Sequence, residues 1–145
     1  MSGEIRYSHT QKATLIRLAL AVMIVGLAVG AVLVTQALWI PVGVLLLCLL
    51  LFHSLRVEID ARHVHIAFGI GLIRRSIALS DIASCEIVTT PWYMGYGIRY
   101  VFKGWMWNVS GKWSVELTYT SGGHFRIGTD EPEALKAALD DAGGR

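Results

Sequence analysis

Two histidines on one predicted strand are the first residues of this chain that suggest chemistry. His63 and His65 are separated by one residue, so in an extended strand both side chains point to the same face. Two imidazoles on one face can supply two ligands of a transition-metal site, but such a site also needs further ligands at a suitable spacing. No other histidine, cysteine or nearby carboxylate has such a spacing in the sequence. We therefore expect no metal and interpret the pair as part of a solvated strand face.

The other residues that are able to act as acids or bases do not form a recognisable catalytic motif. They lie on separate predicted elements: Asp81, Glu86, Glu116 and His124. No glycine-rich phosphate loop or nucleophile elbow accompanies them. Cys48 and Cys85 fall in different parts of the chain, so we expect no disulfide and a reducing compartment. We predict a protein with no catalytic residues, no cofactor and no enzymatic activity.

Residues 91–113 have the most unusual composition, because four of the five tryptophans lie there. Strand alternation buries only about half of such a set, and we expect the core to take Tyr100, Phe102 and Trp113. The exposed members have two alternative roles. They form either an aromatic belt at the depth of the lipid headgroups or a patch that binds a partner protein. The candidates for this interface are Trp92, Tyr93, Tyr96, Arg99, Trp105 and Trp107.

Arg74 and Arg75 are the only adjacent pair of basic residues. Near a membrane surface each arginine attracts anionic headgroups by about 1 kcal/mol, so the pair is a weak candidate for headgroup binding. Charged residues also protect a strand edge from unwanted pairing. Both interpretations stay open.

An uncharged run of 38 residues, Leu18 to Leu55, determines the setting of all these residues. About 20 apolar residues cross a bilayer, so the run accommodates two spans. Polar residues at 35–36, Trp39 and Pro41 mark a turn inside it. We predict two helices, over residues 14–35 and 38–55. A signal peptide fits this run poorly, because its apolar region has only about 7 to 15 residues.

Basic residues at both ends of this run predict its orientation. Arg6, Lys12 and Arg17 precede or begin the first span, Arg56 and Arg62 follow the second, and the turn between the spans carries no charge. The positive-inside rule then puts both chain ends in the cytoplasm. We expect a multi-pass protein of the inner (cytoplasmic) membrane with a short cytoplasmic arm, residues 1–13, before the 14–55 helical hairpin.

Residues 56–145 contain ten basic and ten acidic residues, and this balance lacks the basic stripe that nucleic acid requires. Gly26 and Gly30 form a small-xxx-small pair that lets another helix approach closely. The pair serves either a homo-oligomer or packing against Gly43 and its neighbours in the second span, and we favour the second use.

The cytoplasmic domain after the spans, residues 56–145, has the pattern of short strands followed by one helix. Asp130 as N-cap, Pro132 in the first turn and Glu133 predict the helix start. We predict an α+β fold in which a strongly bent antiparallel sheet of seven strands is closed by this C-terminal helix. The predicted strands cover residues 56–60, 63–68, 72–79, 84–90, 100–102, 112–119 and 124–128.

Three stretches carry a resemblance to a known family. They are Gly95-Tyr-Gly-Ile-Arg99, Asn108-Val-Ser-Gly111 followed by Val115-Glu-Leu117, and Ile127-Gly-Thr-Asp-Glu-Pro-Glu-Ala-Leu135. With the two spans, the chain resembles bacterial membrane-anchored proteins with one pleckstrin-homology-like (PH-like) domain, a fold that hosts lipid binding, peptide binding and scaffolding. Phosphoinositide-binding relatives of that fold carry a basic cluster at the first hairpin turn. The predicted turn here, Asp60-Ala-Arg-His63, lacks such a cluster.

These patterns together predict a non-enzymatic adaptor, assembly or scaffolding protein. The predicted partners are the lipid bilayer and another membrane protein. The alternative is a module that senses lipid headgroups.

Overall fold

The computed structural model describes residues 4–101, 104–109 and 111–144, and it has an α+β fold. Three α-helices are present in this part of the chain: α1 (Thr14–Leu33), α2 (Trp39–Phe52) and α3 (Pro132–Ala142). The strands are β1 (Tyr7–Lys12), β2 (Ser54–Ile59), β3 (His63–Phe68), β4 (Ile73–Ala78), β5 (Ile82–Thr89), β6 (Gly97–Val101), β7 (Gly104–Asn108), β8 (Trp113–Tyr119) and β9 (His124–Thr129).

The two apolar helices are inserted between paired neighbouring strands. β1 precedes α1 and pairs antiparallel with β2, which follows α2, so that Lys12 lies opposite Ser54. Only Ala13 and His53 separate helices from strands, and the Ala13 N–H donates to the His53 carbonyl at 3.0 Å. The sequence predicted no strand in residues 1–13. The first connection in the sheet is therefore the helical hairpin, and the Asp60–His63 turn is the second.

The strands form two sheets, with orders β1-β2-β3-β4 and β5-β8-β9-β7-β6. The predicted single sheet of seven strands is wrong, because two strands were missed. β1 is polar and forms only by pairing with β2, far along the chain. β7 lacks alternation, since Met106, Trp107 and Asn108 are all buried, and it pairs parallel with β9.

The core lies between the inner faces of the two sheets and is covered by Leu135 and Leu139 of α3. A chain of ring contacts runs through it from the end of α2. Phe52 packs edge-on against Phe68 at 5.4 Å between ring centroids. Trp107 follows at 5.2 Å from Phe68 and 5.8 Å from Phe125. α2 and the core between the sheets are thus packed as one body.

α3 begins at Pro132, as predicted, but its cap differs from the prediction. The residue before the helix is Glu131, which provides no side-chain cap. The Asp130 carboxylate instead contacts the His9 imidazole of β1 at 2.7 Å. The missed strand β1 supplies this partner, and so the capping role of Asp130 was mispredicted.

Within the described residues, α1 alone has both the length and the hydropathy to cross a membrane. The returning apolar stretch, Gln36–Phe52, is shorter. Gly30 lies against Leu38 so closely that an added Cβ would come within 2.9 Å of its side chain. A Cβ added at Gly26 or Gly43 meets no described atom within 4 Å. Gly30 therefore packs on Leu38, a residue of the predicted second span, and not on Gly43 itself.

Candidate functional site

The domain formed by the two sheets and α3 has two ends, which differ in their distance from α1 and α2. We call the end where the helices join β1 and β2, at Lys12 and Ser54, the joint end. The opposite end of sheet β1-β2-β3-β4, which carries the turn from Asp60 to Arg62, is the far end.

The β3–β4 turn, Gly69 to Leu72, lies at the joint end. The Gly69 N–H donates to the Ser54 carbonyl at 2.8 Å. A Cβ at Gly69 would overlap the carbonyl oxygens of Leu50 and Leu51 in the last turn of α2. The tip of this turn is apolar yet exposed, because Ile70 is 61% and Leu72 71% accessible.

Two rows of side chains follow this turn on the outer face of the sheet. Cross-strand register aligns Arg56, Ala67 and Arg74 in the first row. The next row, one step toward the far end, consists of Glu58, His65 and Ser76. Both rows line an open groove of about 500 Å³.

The predicted headgroup pair, Arg74 and Arg75, does not act as a single patch. Arg74 shares the outer face with Ala67, whereas the Arg75 guanidinium lies over the Phe125 ring, 4.9 Å from its centroid. Burial raises the pKa of Tyr119, and the nearby Arg75 guanidinium partly offsets that rise. Adjacent residues of a strand point to opposite faces, so adjacency in sequence does not place two charges together here.

Two of the predicted interface residues, Tyr96 and Arg99, lie beside the apolar helices, and Trp92 and Tyr93 precede them in the chain. Trp92 is 87% exposed and packs edge-on against Tyr93. Tyr96 and Arg99 line a groove whose other wall is formed by the helices. That wall consists of Ile16 and Leu20 of α1 with Cys48 and Phe52 of α2.

Trp105 and Trp107 lie elsewhere, and only Trp105 is available to a partner. Trp107 is 7% exposed within the ring chain of the core, so its predicted exposure is wrong. Trp105 is 45% exposed and packs edge-on against Tyr100 at 5.5 Å. In the register of β7 and β9, Trp105 lies opposite Phe125.

Two of the three aromatic residues that were predicted to be core are exposed. Tyr100 is 64% accessible on the edge strand β6, and Trp113 begins β8 as an exposed residue. Phe102 lies outside the described residues. Trp105 lies beside Phe125 in register, Tyr100 packs on Trp105, and the Arg75 guanidinium covers the Phe125 ring. We call Tyr100, Trp105 and Arg75 the aromatic patch.

The far end brings Asp60 to the histidine pair, which the sequence did not predict. Asp60 Oδ1 accepts the backbone N–H groups of Arg62 and His63, both at 2.7 Å. Asp60 Oδ2 lies 2.9 Å from His65 Nε2. These bonds, the Arg62 N–H first among them, lower the pKa of Asp60 to about 2. Only the turn conformation creates this proximity.

Asp60, His63 and His65 offer ligand atoms within 4.8 Å of one another, and these donor types suit zinc. Both Asp60 oxygens already have hydrogen-bond partners in the turn, which accounts for the arrangement without an ion.

Glu116 and His124 were predicted to be scattered, but they are neighbours on β8 and β9. Arg126 donates to the Glu116 carboxylate at 2.5 Å, and His124 Nδ1 lies 3.5 Å from its other oxygen. The two strands pair antiparallel, which aligns all three residues. Because Arg126 neutralises Glu116, the cluster is an ion-pair network on a strand face.

The chain matches no family model, no curated protein and no solved structure. Its own geometry is therefore the guide to its function. Three features stand out in the described residues: the inserted helical hairpin, the surfaces of the joint end and the aromatic patch.

Proposed function

We propose that this chain is a two-span protein of the cytoplasmic membrane and acts as a non-enzymatic adaptor, with a PH-like domain at the inner face. The observation that supports this most strongly is the insertion of α1 and α2 between β1 and β2. Strands that pair in one sheet lie on the same side of a membrane. A chain that leaves through α1 must therefore return before Ser54.

The lengths of the helices support this path. α1 has 20 residues and extends over about 30 Å, which matches the hydrocarbon core of a bilayer. The return stretch, Gln36–Phe52, extends over about 25 Å, and local thinning of the bilayer accommodates such a difference at modest cost. Trp39, half-exposed at the turn, suits the opposite interface.

A signal sequence and a buried core helix both agree less well than a membrane span with the surroundings of α1. A cleaved signal sequence would take β1 with it, although β1 forms the edge of a sheet and Tyr7 packs against the core. A core helix of a soluble protein would be buried, whereas Ala31 alone is buried among the described residues of α1.

The orientation follows from charge. Arg6, Lys12 and Arg17 lie before or at the start of α1, Arg56 follows α2, and the turn between the helices is uncharged. The positive-inside rule then favours a cytoplasmic domain.

The short joints favour an adaptor, because they hold the domain at a constant position. Single residues connect helices to strands, and Phe52 packs on Phe68 of the core. A partner must therefore approach the membrane, which favours another membrane protein. The aromatic patch is the surface offered, since exposed tryptophan, tyrosine and arginine are enriched at binding hot spots.

Photo-crosslinking in cells tests this function. A photoreactive amino acid at position 105 or 100 is expected to form an adduct with the same protein, because Trp105 and Tyr100 pack together. The matched control is position 62, an exposed arginine in the far-end turn. Adducts of equal yield from all three positions, or no protein adduct from positions 105 and 100, would contradict the adaptor role.

A further inference from the structure

We infer that the joint end binds the phosphate headgroup of an anionic lipid between Arg56 and Arg74, with Ile70 and Leu72 inserted into the same leaflet. The inference rests on the proposed two-span topology. It names a ligand for a surface that the adaptor role does not use.

The β3–β4 turn lies where α2 leaves the bilayer. Gly69 is hydrogen-bonded to Ser54 and packed on the last carbonyls of α2, which holds the turn at this depth. Ile70 and Leu72 are the exposed residues of its tip. Two apolar side chains on one tip gain no hydrophobic free energy while they are exposed to water. In the acyl region their surface is removed from water, which is favourable.

The first row above the tip provides the phosphate site. Arg56 and Arg74 flank Ala67 in register, one strand away on either side. Two strand spacings separate their Cα atoms by about 10 Å, and Ala67 between them leaves room for both guanidinium groups to converge. A phosphate suits this arrangement, because guanidinium groups bind it through paired N–H donors.

The charges of the groove favour an anion. Arg56 lies 3.9 Å from the Glu58 carboxylate. Arg74 has no ion pair within the described part of the chain. The Arg75 guanidinium lies over the Phe125 ring and does not add to this row. Two arginines, Arg56 and Arg74, therefore face one carboxylate, Glu58, among the described residues of the two rows, which leaves an excess of positive charge in the first row.

The order of the rows matches the order of layers in a leaflet. An apolar tip comes first, the Arg56–Arg74 row second, and the polar row of Glu58, His65 and Ser76 third. A leaflet presents acyl chains, phosphates and water in the same order. The rise from Ser54 to Arg56 is about 7 Å, which brings the arginines to headgroup depth.

Lipid titration of the full chain in detergent, followed by native mass spectrometry, tests the phosphate site. We expect phosphatidylglycerol to bind more tightly than phosphatidylcholine. About 1 kcal/mol per arginine corresponds to a loss of about fivefold for Arg56→Gln or Arg74→Gln, and of roughly thirtyfold for both. Arg62→Gln, which removes an equal charge at the far end, is the matched control and should leave binding unchanged.

Three outcomes would overturn the site. The first is equal binding of the two lipids, and the second is a loss of lipid affinity in Arg62→Gln as large as in Arg56→Gln or Arg74→Gln. The third is displacement of the lipid by soluble glycerol phosphate at concentrations comparable to those of the lipid. The last result would assign the groove to free phosphate esters.

A depth measurement tests the tip in the full chain reconstituted into nanodiscs. Cys48→Ser and Cys85→Ala provide a cysteine-free background, and an environment-sensitive dye is attached to Ile70→Cys or to the far-end control, Ala61→Cys. Lipid-borne quenchers should quench the dye at position 70 and spare that at position 61. Equal quenching by a water-soluble quencher at both positions would overturn the insertion. A dye at Ala37→Cys, in the turn between α1 and α2, reports separately on the two-span topology.

Discussion

The joint end and the far end of the two-sheet domain are built on the same strands but differ in composition. At the joint end, the β3–β4 turn presents exposed Ile70 and Leu72 next to two arginines. At the far end, the turn between β2 and β3 is held by the Asp60 carboxylate and two histidines. The alternation that builds the core is the same along β2 and β3. The residue composition at the strand ends therefore changes with distance from the helices, whereas that of the inner faces does not.

The two ends also differ in how they are held. Side-chain hydrogen bonds stabilise the far-end turn, whereas packing of backbone and rings connects the joint end to α2. Substitutions at the two ends should therefore destabilise the protein by different physical mechanisms. The variants below test this difference, in order of decreasing loss of stability.

Trp107→Ala should interrupt the ring chain that connects the end of α2 to the core. Removal of a buried tryptophan leaves a cavity and lowers the free energy of unfolding by about 3–5 kcal/mol. Trp105→Ala, two residues away on the same strand but exposed, is the matched control and should cost about 1 kcal/mol or less. Urea unfolding in detergent micelles measures both. Equal losses of unfolding free energy in the two variants would contradict a core role for Trp107.

Gly69→Ala should damage the joint specifically. The residue has a φ of +51°, and an added Cβ would overlap backbone carbonyls of α2, so we expect a loss of about 2–4 kcal/mol from strain and overpacking together. Gly71→Ala shares the positive φ but has open space around it, and should cost about 1–2 kcal/mol. The difference between their unfolding free energies measures the contact with α2. If the two variants are equally stable, the turn is not packed on the helix.

Asp60→Ala should weaken the far end by about 1–3 kcal/mol, because two backbone N–H groups lose a charged acceptor. Asp140→Ala, which removes an i,i+4 ion pair with Lys136, is the control and should lower the unfolding free energy far less, since such pairs contribute little on a helix surface. Losses of the same size in urea unfolding would show that Asp60 does not hold the turn.

The same carboxylate predicts a pH dependence. Its pKa is lowered from 3.8 to about 2, so its contribution is complete above about pH 4 and is lost as the pH falls through 2. Unfolding of wild type and Asp60→Ala between pH 5 and pH 2, in steps of about one unit, should give converging stabilities at the acid end. A constant difference across this range would contradict the assignment.

The sequence predicted what depends on local pattern. The α+β class, a helix from Thr14 that is long and apolar enough to cross a membrane, and the start of α3 at Pro132 agree with the structure, because uncharged length, alternation and a proline in the first turn are signals within a few residues. Strand β3 was predicted with its observed bounds for the same reason.

What the sequence did not predict depends on distant partners. β1 has no apolar alternation and is a strand only because β2 lies beside it. Trp105 and Trp107 are the same residue type, and strand alternation predicts the same face for both. Their positions along β7 decide that Trp105 is exposed and that Trp107 packs on Phe68. The contact of Asp60 with His65 required the turn conformation. Topology, not composition, determines these features.

The sidedness of two single cysteines in intact cells, in a cysteine-free background, tests the membrane hairpin itself. Ala37→Cys lies in the turn between α1 and α2, and Ala61→Cys lies in the far-end turn. We predict that a membrane-impermeant maleimide labels position 37 from outside the cell, and labels position 61 only after the inner membrane is opened. Labelling of both positions from the same side would contradict the inserted two-span hairpin, and with it the proposed adaptor and the lipid site.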